Sequence, residues 1–244
     1  MLTNKHLTKL TSPQVDVKSY QHVISALMYP MLGTCPDLTY TVAALGRHAA
    51  NPGEEHLHAL DCAFRYLRAT SNQQLIFQRG LPGGTDLHGY VDADWASDIN
   101  DHKSTSSYVF MLAGGAVSWS SKKQASVALL STEAEYIAGM HAAKEAVWLK
   151  RLLRDIWQQP NPDAPVPLLI DNQSAIAIAR NPKFHDQTKH IEIQYHFLRQ
   201  QYESKALELT YVPTGDQVAD VLTKALAQEK HQRFTANMGM RHVG

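Results

Sequence analysis

Four carboxylates, Asp92, Glu135, Asp171 and Asp220, each stand where an apolar run meets a polar turn. Asp92 lies in LHGYVDADW, Glu135 in STEAEYIAGM, Asp171 in VPLLIDNQSAIAIA and Asp220 in YVPTGDQVADVLTKAL. An acid at the end of a buried strand, or on the inward side of a helix, is costly unless a cation meets it. Four acids converging from separate elements would make a hard, oxygen-lined pocket, suited to Mg²⁺ or Mn²⁺ rather than zinc. Two such ions, held about 4 Å apart, are the known device for in-line displacement at a phosphodiester.

Each acid also has an ordinary alternative. Asp92 shares a strand face with Tyr90 and Asp94, as an edge-strand surface charge would. Asp171 follows the apolar run LLI and precedes a helix, which is an N-cap position. Asp220 falls outside the Val218, Val221, Leu222 and Ala225 stripe of its expected helix, as a surface acid would. Glu135 stands three residues after Thr132, the spacing of a capping box. A helical wheel at about 100° per residue nevertheless puts Glu135 with Ala138, Gly139, Ala142, Ala146, Leu149, Leu153 and Ile156, the stripe that must face a core. Glu133 falls about 160° away on that wheel, toward solvent, where the helix dipole favours an acid.

The elements that must position these groups change character along the chain. Val17 to Tyr29, Pro36 to Ala50 and Pro52 to Thr70 have helical spacing, punctuated by Gly33, Pro36 and the Asn51-Pro52-Gly53 turn. A short run from Gln74 to Gln78 enters Gly80-Leu81-Pro82-Gly83-Gly84, the strongest loop signal present. Beyond it, His88 to Ala93, Ser106 to Ala113 and Ala116 to Ser120 read as consecutive antiparallel strands. A long helix over Thr132 to Ile156 follows, then a buried strand over Val166 to Ile170. Helices over Ser174 to Arg180 and Ile193 to Ser204, a strand over Leu207 to Val212, a helix from about Asp216 to Leu226 and a frayed C-terminal helix complete the pattern. The order βββ-α-β-α-(α)-β-α predicts an α/β fold, a mixed five-stranded sheet with helices packed on it. The expected division is a helical subdomain over residues 1–80, a linker over 81–85 and the α/β domain over 86–244.

Composition excludes several classes. The 244 residues, 44% of them hydrophobic, can bury a substantial core. The formal net charge is zero, from 23 basic and 23 acidic residues, where a stand-alone nucleic-acid binder is more often basic. Cys35 and Cys62 have no CxxC partners, so neither a disulfide framework nor a zinc site is expected. The 13 histidines are scattered without metal-ligand spacing. No apolar run approaches the roughly 20 residues of a membrane span and no signal peptide opens the chain, so an intracellular protein without membrane contact is expected.

The motifs GYVDADWASD, HKSTSSYVF, SWSSKKQASVALLSTEAEYIAG, LLIDNQSAIAIARNP, TKHIEIQYHFLRQ and VADVLTKAL, in that order, resemble the ribonuclease H domain of copia-type LTR-retrotransposon Pol polyproteins. The preceding YQHVISALMYPMLGTCPDLTYTVAALGRHAANPGEEHLHALDCAFRYLRAT is similar to the reverse-transcriptase thumb and connection of those polyproteins. The resemblance implies a ribonuclease H-like fold, with residues 1–80 as a thumb/connection remnant and no polymerase motif. It implies that Asp92, Glu135, Asp171 and Asp220 hold two Mg²⁺ or Mn²⁺ ions and hydrolyse the RNA strand of an RNA–DNA hybrid. Ser131 and Thr132 would then meet 2′-hydroxyls, and Lys122 and Lys123 would hold phosphates, a solvated turn being the ordinary alternative for the lysines. A reverse-transcriptase palm is the implied partner, and the cytoplasm, virus-like particles or the nucleus the implied setting.

Two departures stand out. YVPTGDQVAD lacks the histidine that many ribonucleases H carry before the last helix, leaving His190 or His196 as auxiliaries. Cys35 stands where the family commonly has arginine. A catalytically silent remnant, kept as a nucleic-acid-binding or packing module, is the competing expectation. An integrase-type nuclease would need Asp, Asp, Glu in that order, and the order here is Asp, Glu, Asp, Asp.

Overall fold

A computed structural model describes residues 7, 15–78, 86–157, 164–181 and 192–243, with side chains from 196 in the last stretch. The Gly80–Gly84 loop and His190 lie outside the described residues.

Three helices come first, α1 (Val17–Gly33), α2 (Thr39–Gly46) and α3 (Glu54–Ala69), with a 3-10 turn over Pro36–Leu38. Asp16 caps α1 by accepting from the amides of Lys18 and Ser19. Tyr20, Ile24, Leu27 and Met31 repeat at helical spacing and close a core with Val42, Leu45, Ala59, Leu60 and Ala63. Strand β1 (Gln73–Leu75) follows.

The main sheet contains β2 (His88–Asp94), β3 (Thr105–Leu112), β4 (Gly115–Lys123), β5 (Val166–Ile170) and β6 (Leu207–Tyr211). Its order is β4-β3-β2-β5-β6; β2, β3 and β4 are antiparallel, while β5 runs parallel to β2 and β6 to β5. That mixed five-stranded order is ribonuclease H-like, as the sequence pattern led us to expect. One face is covered by α4 (Ser131–Trp157), α5 (Gln173–Arg180) and α6 (Glu192–Glu203). The alanines 134, 138, 142 and 146 are all buried and let α4 lie close to the strands. At Gly139 an added Cβ would come within 3.2 Å of Leu198 Cδ2, so this spacing fixes the packing of α6 as well.

The opposite face carries two 3-10 turns, Thr214–Asp216 and Val218–Leu222, then α7 (Gln228–Asn237). The single helix expected over Asp216 to Leu226 is therefore replaced by tighter turns. Gln217 is the cause: its backbone is extended (ψ 96°), and its side-chain amide donates to Val91 O at 2.8 Å and Leu169 O at 3.4 Å. The C-terminal helix is not frayed, because Phe234 and Met238 are buried against Val218, Val221 and Leu222.

The helical layer and the sheet share contacts. Trp119 Nε1 on β4 donates to Met31 O at 2.9 Å, and Arg47 donates to Thr105 Oγ1 at 2.9 Å. A strand absent from the sequence reading, β7 (Met240–His242), pairs antiparallel with β1, so the last strand of the chain is tied to the end of the helical layer. No helix among the described residues is long and apolar enough to cross a membrane.

Candidate metal centre

Parallel strands β2 and β5 lie side by side while the chain leaves them in opposite directions across the sheet, which opens a crevice beyond their carboxyl ends. Asp92 is near the end of β2, on an interior strand rather than an edge, and only 2% exposed. Asp171 follows the last residue of β5, and the N-cap of α5 is not Asp171 but Asn172, whose Oδ1 accepts from Ala175 N at 2.9 Å. Asp220 is 0% exposed. Gln217, Asp220 and Thr223 recur every third residue, and all three are fully buried. A 3-10 turn puts such positions on one face, whereas the 3.6-residue wheel sends Asp220 to the surface. Carboxylate oxygens of Asp92, Asp171 and Asp220 lie within 4.8 Å of one another.

Glu135, on α4, is buried beside this group without being one of the three acids whose oxygens lie within 4.8 Å. Its carboxylate accepts from the Ala93 amide, one residue beyond Asp92, and feels the charges of Asp92 and Asp171. The capping role open to Glu135 falls to Glu133 instead: Glu133 Oε2 turns back to accept from Leu129 N at 2.8 Å.

The electrostatics are those of a site short of positive charge. Burial raises the Asp92 carboxyl above the ordinary aspartate range; Lys224 and the Thr223 hydroxyl oppose that rise, while Asp220 and Asp171 add to it. Burial, with Asp92 and Asp171 beside it, raises Glu135 far above a normal glutamate. Two lysines answer part of the charge. Lys224 Nζ is 2.9 Å from Asp220 Oδ1 and 3.9 Å from Asp92 Oδ2, and Lys230 Nζ is 2.6 Å from Asp220 Oδ2. Burial works against the Lys224 charge, yet Asp92 and Asp220 hold it above the usual lysine value. Thr223 Oγ1 donates to Asp92 Oδ2. Glu135 Oε2 is buried without any hydrogen-bond partner. An orphaned carboxylate oxygen beside three clustered acids fits a divalent cation, which would supply the missing ligand contact.

The other sequence candidates lie elsewhere or at the margin. Ser131 and Thr132 form the first turn of α4, Ser131 exposed and Thr132 half-buried. Lys122 is exposed on β4. Lys123 is drawn away from any phosphate by Asp98 (2.6 Å) and Asp101 (2.8 Å). His196 is exposed on α6 and is not part of the Asp92–Asp171–Asp220 group. Gln217, Thr223, Lys224 and Lys230 were not singled out from the sequence. Lys224 alone carried a signal there, standing four residues after Asp220.

The chain is 40% identical to the retrovirus-related Pol polyprotein from transposon TNT 1-94 of Nicotiana tabacum, over 91% of this chain and 16% of that protein. It is also 48% identical to the secreted RxLR effector protein 161 of Plasmopara viticola, over 53% of this chain and 90% of that protein. Among solved structures, the N-terminal ribonuclease H domain of rv2228c from Mycobacterium tuberculosis is similar over 62% of this chain and 97% of that chain, with 14% identity and a TM-score of 0.40. The strand order, rather than that likeness, identifies the fold. No protein-family model matches the chain. The chain spans about one sixth of the length of the Pol polyprotein it matches.

Proposed function

We propose, for a chain that belongs to the Pol polyprotein family of copia-type LTR retrotransposons, the activity of the ribonuclease H segment: endonucleolytic hydrolysis of the RNA strand of RNA–DNA hybrids. The observation that carries this reading is the buried Asp92–Asp171–Asp220 cluster, with the orphaned oxygen of Glu135 close enough to feel the charges of Asp92 and Asp171. Those four side chains would hold two Mg²⁺ or Mn²⁺ ions, which when bound supply an activated water and neutralise the departing oxygen. Asp92, on an interior strand and close to the charges of Glu135, Asp171 and Asp220, would be the residue shared by both ions. Gln217 and Thr223 hold the 3-10 turn and the Asp92 carboxylate in register, so the acids are arranged before substrate arrives. The Ser131 hydroxyl and the neighbouring Thr132 stand on the turn leading to Glu135, where a 2′-hydroxyl in the wide minor groove of an A-like duplex would mark the RNA strand. Exposed Lys122 would hold a phosphate farther out.

The parent-protein context supports a partner. Tyr29 and Leu32 on α1 are 86% and 65% exposed, an apolar strip on the helical layer where a reverse-transcriptase palm would pack in the intracellular setting of retrotransposon replication. One observation favours a second reading, a silent binding module: Lys224 and Lys230 both pair with Asp220 and answer its charge from within the chain. Incubating the protein and Mg²⁺ with an end-labelled RNA–DNA hybrid, beside double-stranded RNA and an EDTA control, separates the two. Metal-dependent cutting of the hybrid's RNA strand supports the nuclease. Hybrid binding without cutting at any Mg²⁺ or Mn²⁺ concentration would select the silent module.

A further inference from the structure

Beside the acids lies an apolar rim that the chemistry above does not use. Trp95 stands three residues beyond Asp92, on the turn that follows the last residue of β2. It is 48% exposed, although its indole Nε1–H is committed to Ala128 O at 3.0 Å. The residues that follow Ala128 are Leu129 and Leu130, 81% and 66% exposed, and α4 with Glu135 begins at the next position. The turn leaving Trp95 is equally fixed. Ala96 has a left-handed backbone (φ 51°), and its amide donates to the Ser104 hydroxyl at 3.1 Å. A non-glycine residue held there marks local structure that over-determines where Trp95 points. Large apolar side chains locked in place yet left in water call for an occupant. Both segments of this rim adjoin an element that carries a candidate metal ligand, Trp95 following β2 with Asp92 and Leu130 preceding α4 with Glu135.

We propose that Trp95, flanked by Leu129 and Leu130, is a platform for a pentose face in the minor groove of the bound hybrid and sets which phosphate lies over the acids. The proposal rests on the nuclease reading. A duplex keeps its bases stacked, so the apolar surface it offers a fixed indole is the sugar edge of its groove. The sugar is a ribose or a deoxyribose, and the test tells them apart.

Fluorescence anisotropy with labelled hybrid, double-stranded RNA and double-stranded DNA, in the non-cleaving Asp92→Asn background, compares Trp95, Trp95→Phe and Trp95→Ala. Thermal melting controls for folding. Trp95→Ala is expected to raise the hybrid Kd about tenfold, the scale of losing one aromatic contact to nucleic acid, while Trp95→Phe, which keeps a ring but not the N–H, retains most of the affinity. With Asp92 restored, Trp95→Ala should raise KM with little change in kcat and should broaden the spread of cut sites. A parallel loss on double-stranded RNA assigns a ribose, and a parallel loss on double-stranded DNA a deoxyribose. Equal loss in Trp95→Phe and Trp95→Ala would mean that the tether to Ala128 matters and the platform does not. Unchanged hybrid affinity in Trp95→Ala would overturn the platform while leaving the nuclease intact. A parent protein that binds none of the three duplexes would overturn both.

Discussion

Two buried acidic clusters in this molecule use the same residue types to opposite ends. Asp98, at the junction of sheet and helical layer, is about as buried as Glu135. Its Oδ2 lies 2.6 Å from Lys123 and 3.7 Å from Arg47, while Oδ1 accepts from the Asn100 amide at 2.9 Å. Burial works against the Asp98 charge, yet Lys123 and Asn100 hold its carboxyl at about 2. At the carboxyl ends of β2 and β5, burial wins instead. Asp92 and Glu135 are pushed up, their neighbours are mostly other acids, and one Glu135 oxygen has no partner. The first cluster is complete as folded and fastens two layers together. The second leaves a buried acid oxygen unanswered among other acids, as a site for cations would and a joint would not.

The largest expected effect tests the incomplete cluster. Asp92→Asn keeps the side-chain volume and removes one charge, and hydrolysis of the hybrid should fall by about 10³-fold or more. Rates from a single-turnover cleavage assay check this, and an unchanged rate would remove Asp92 from the chemistry. Next in size, Asp98→Asn should destabilise the fold by about 2 kcal/mol, because Lys123 and Arg47 lose a charged acceptor. Urea melts measure it, and a variant as stable as the parent would show that the cluster does not fasten the layers.

Acid should then separate the groups by pH. Burial, with His56 stacked beside it, lowers His48 to about 4 from 6.5, and burial lowers His231 to about 4 as well. Both bind protons more readily unfolded, so their contribution is complete above about pH 6.5 and is lost as pH falls toward 4. Asp98 behaves differently: its contribution is complete above its ordinary 3.8 and is lost as pH falls through about 2. Asp92 and Glu135, raised by burial, gain stability as pH falls over the histidine window, so the histidine loss is read as a difference between two proteins rather than as a stage in one melting curve. The double variant His48→Gln, His231→Gln should gain melting temperature relative to the parent as pH falls from 6.5 to about 4 and should share the parent's loss below that. A difference between the two that stays constant from pH 6.5 to about 4 would contradict the assignment to the histidines.

Much of this architecture was legible in the sequence, and the exceptions share a cause. The apolar stripe of α4 separated Glu135 from Glu133 because a long helix on a sheet obeys the 3.6-residue wheel. Strand β5 announced itself as an uninterrupted apolar run, as a strand covered on both faces does. Asp220 was legible only through family resemblance. Its local pattern was read on a helical wheel, and nothing in GDQVAD reveals that Gln217 will reach across to Val91 and Leu169 and tighten the chain into a 3-10 turn. The pairing of Lys123 with Asp98 and Asp101, and of β1 with β7, likewise depends on residues far apart in the chain. Local spacing carries elements and faces. It does not carry which distant cation meets which acid.

The claim that the Asp92–Glu135–Asp171–Asp220 cluster is left incomplete for cations has one direct test. Melting temperatures of the parent protein and of Asp92→Asn are measured as Mn²⁺ is raised from none to saturation. Without metal the variant should be as stable as the parent or slightly more so, since one of several crowded like charges is gone. With Mn²⁺ the parent should gain stability by mass action and overtake the variant, so the two curves cross. Parallel curves, or a parent whose melting temperature ignores Mn²⁺, would contradict the account: Lys224 and Lys230 would then be the only cations this cluster was built to hold.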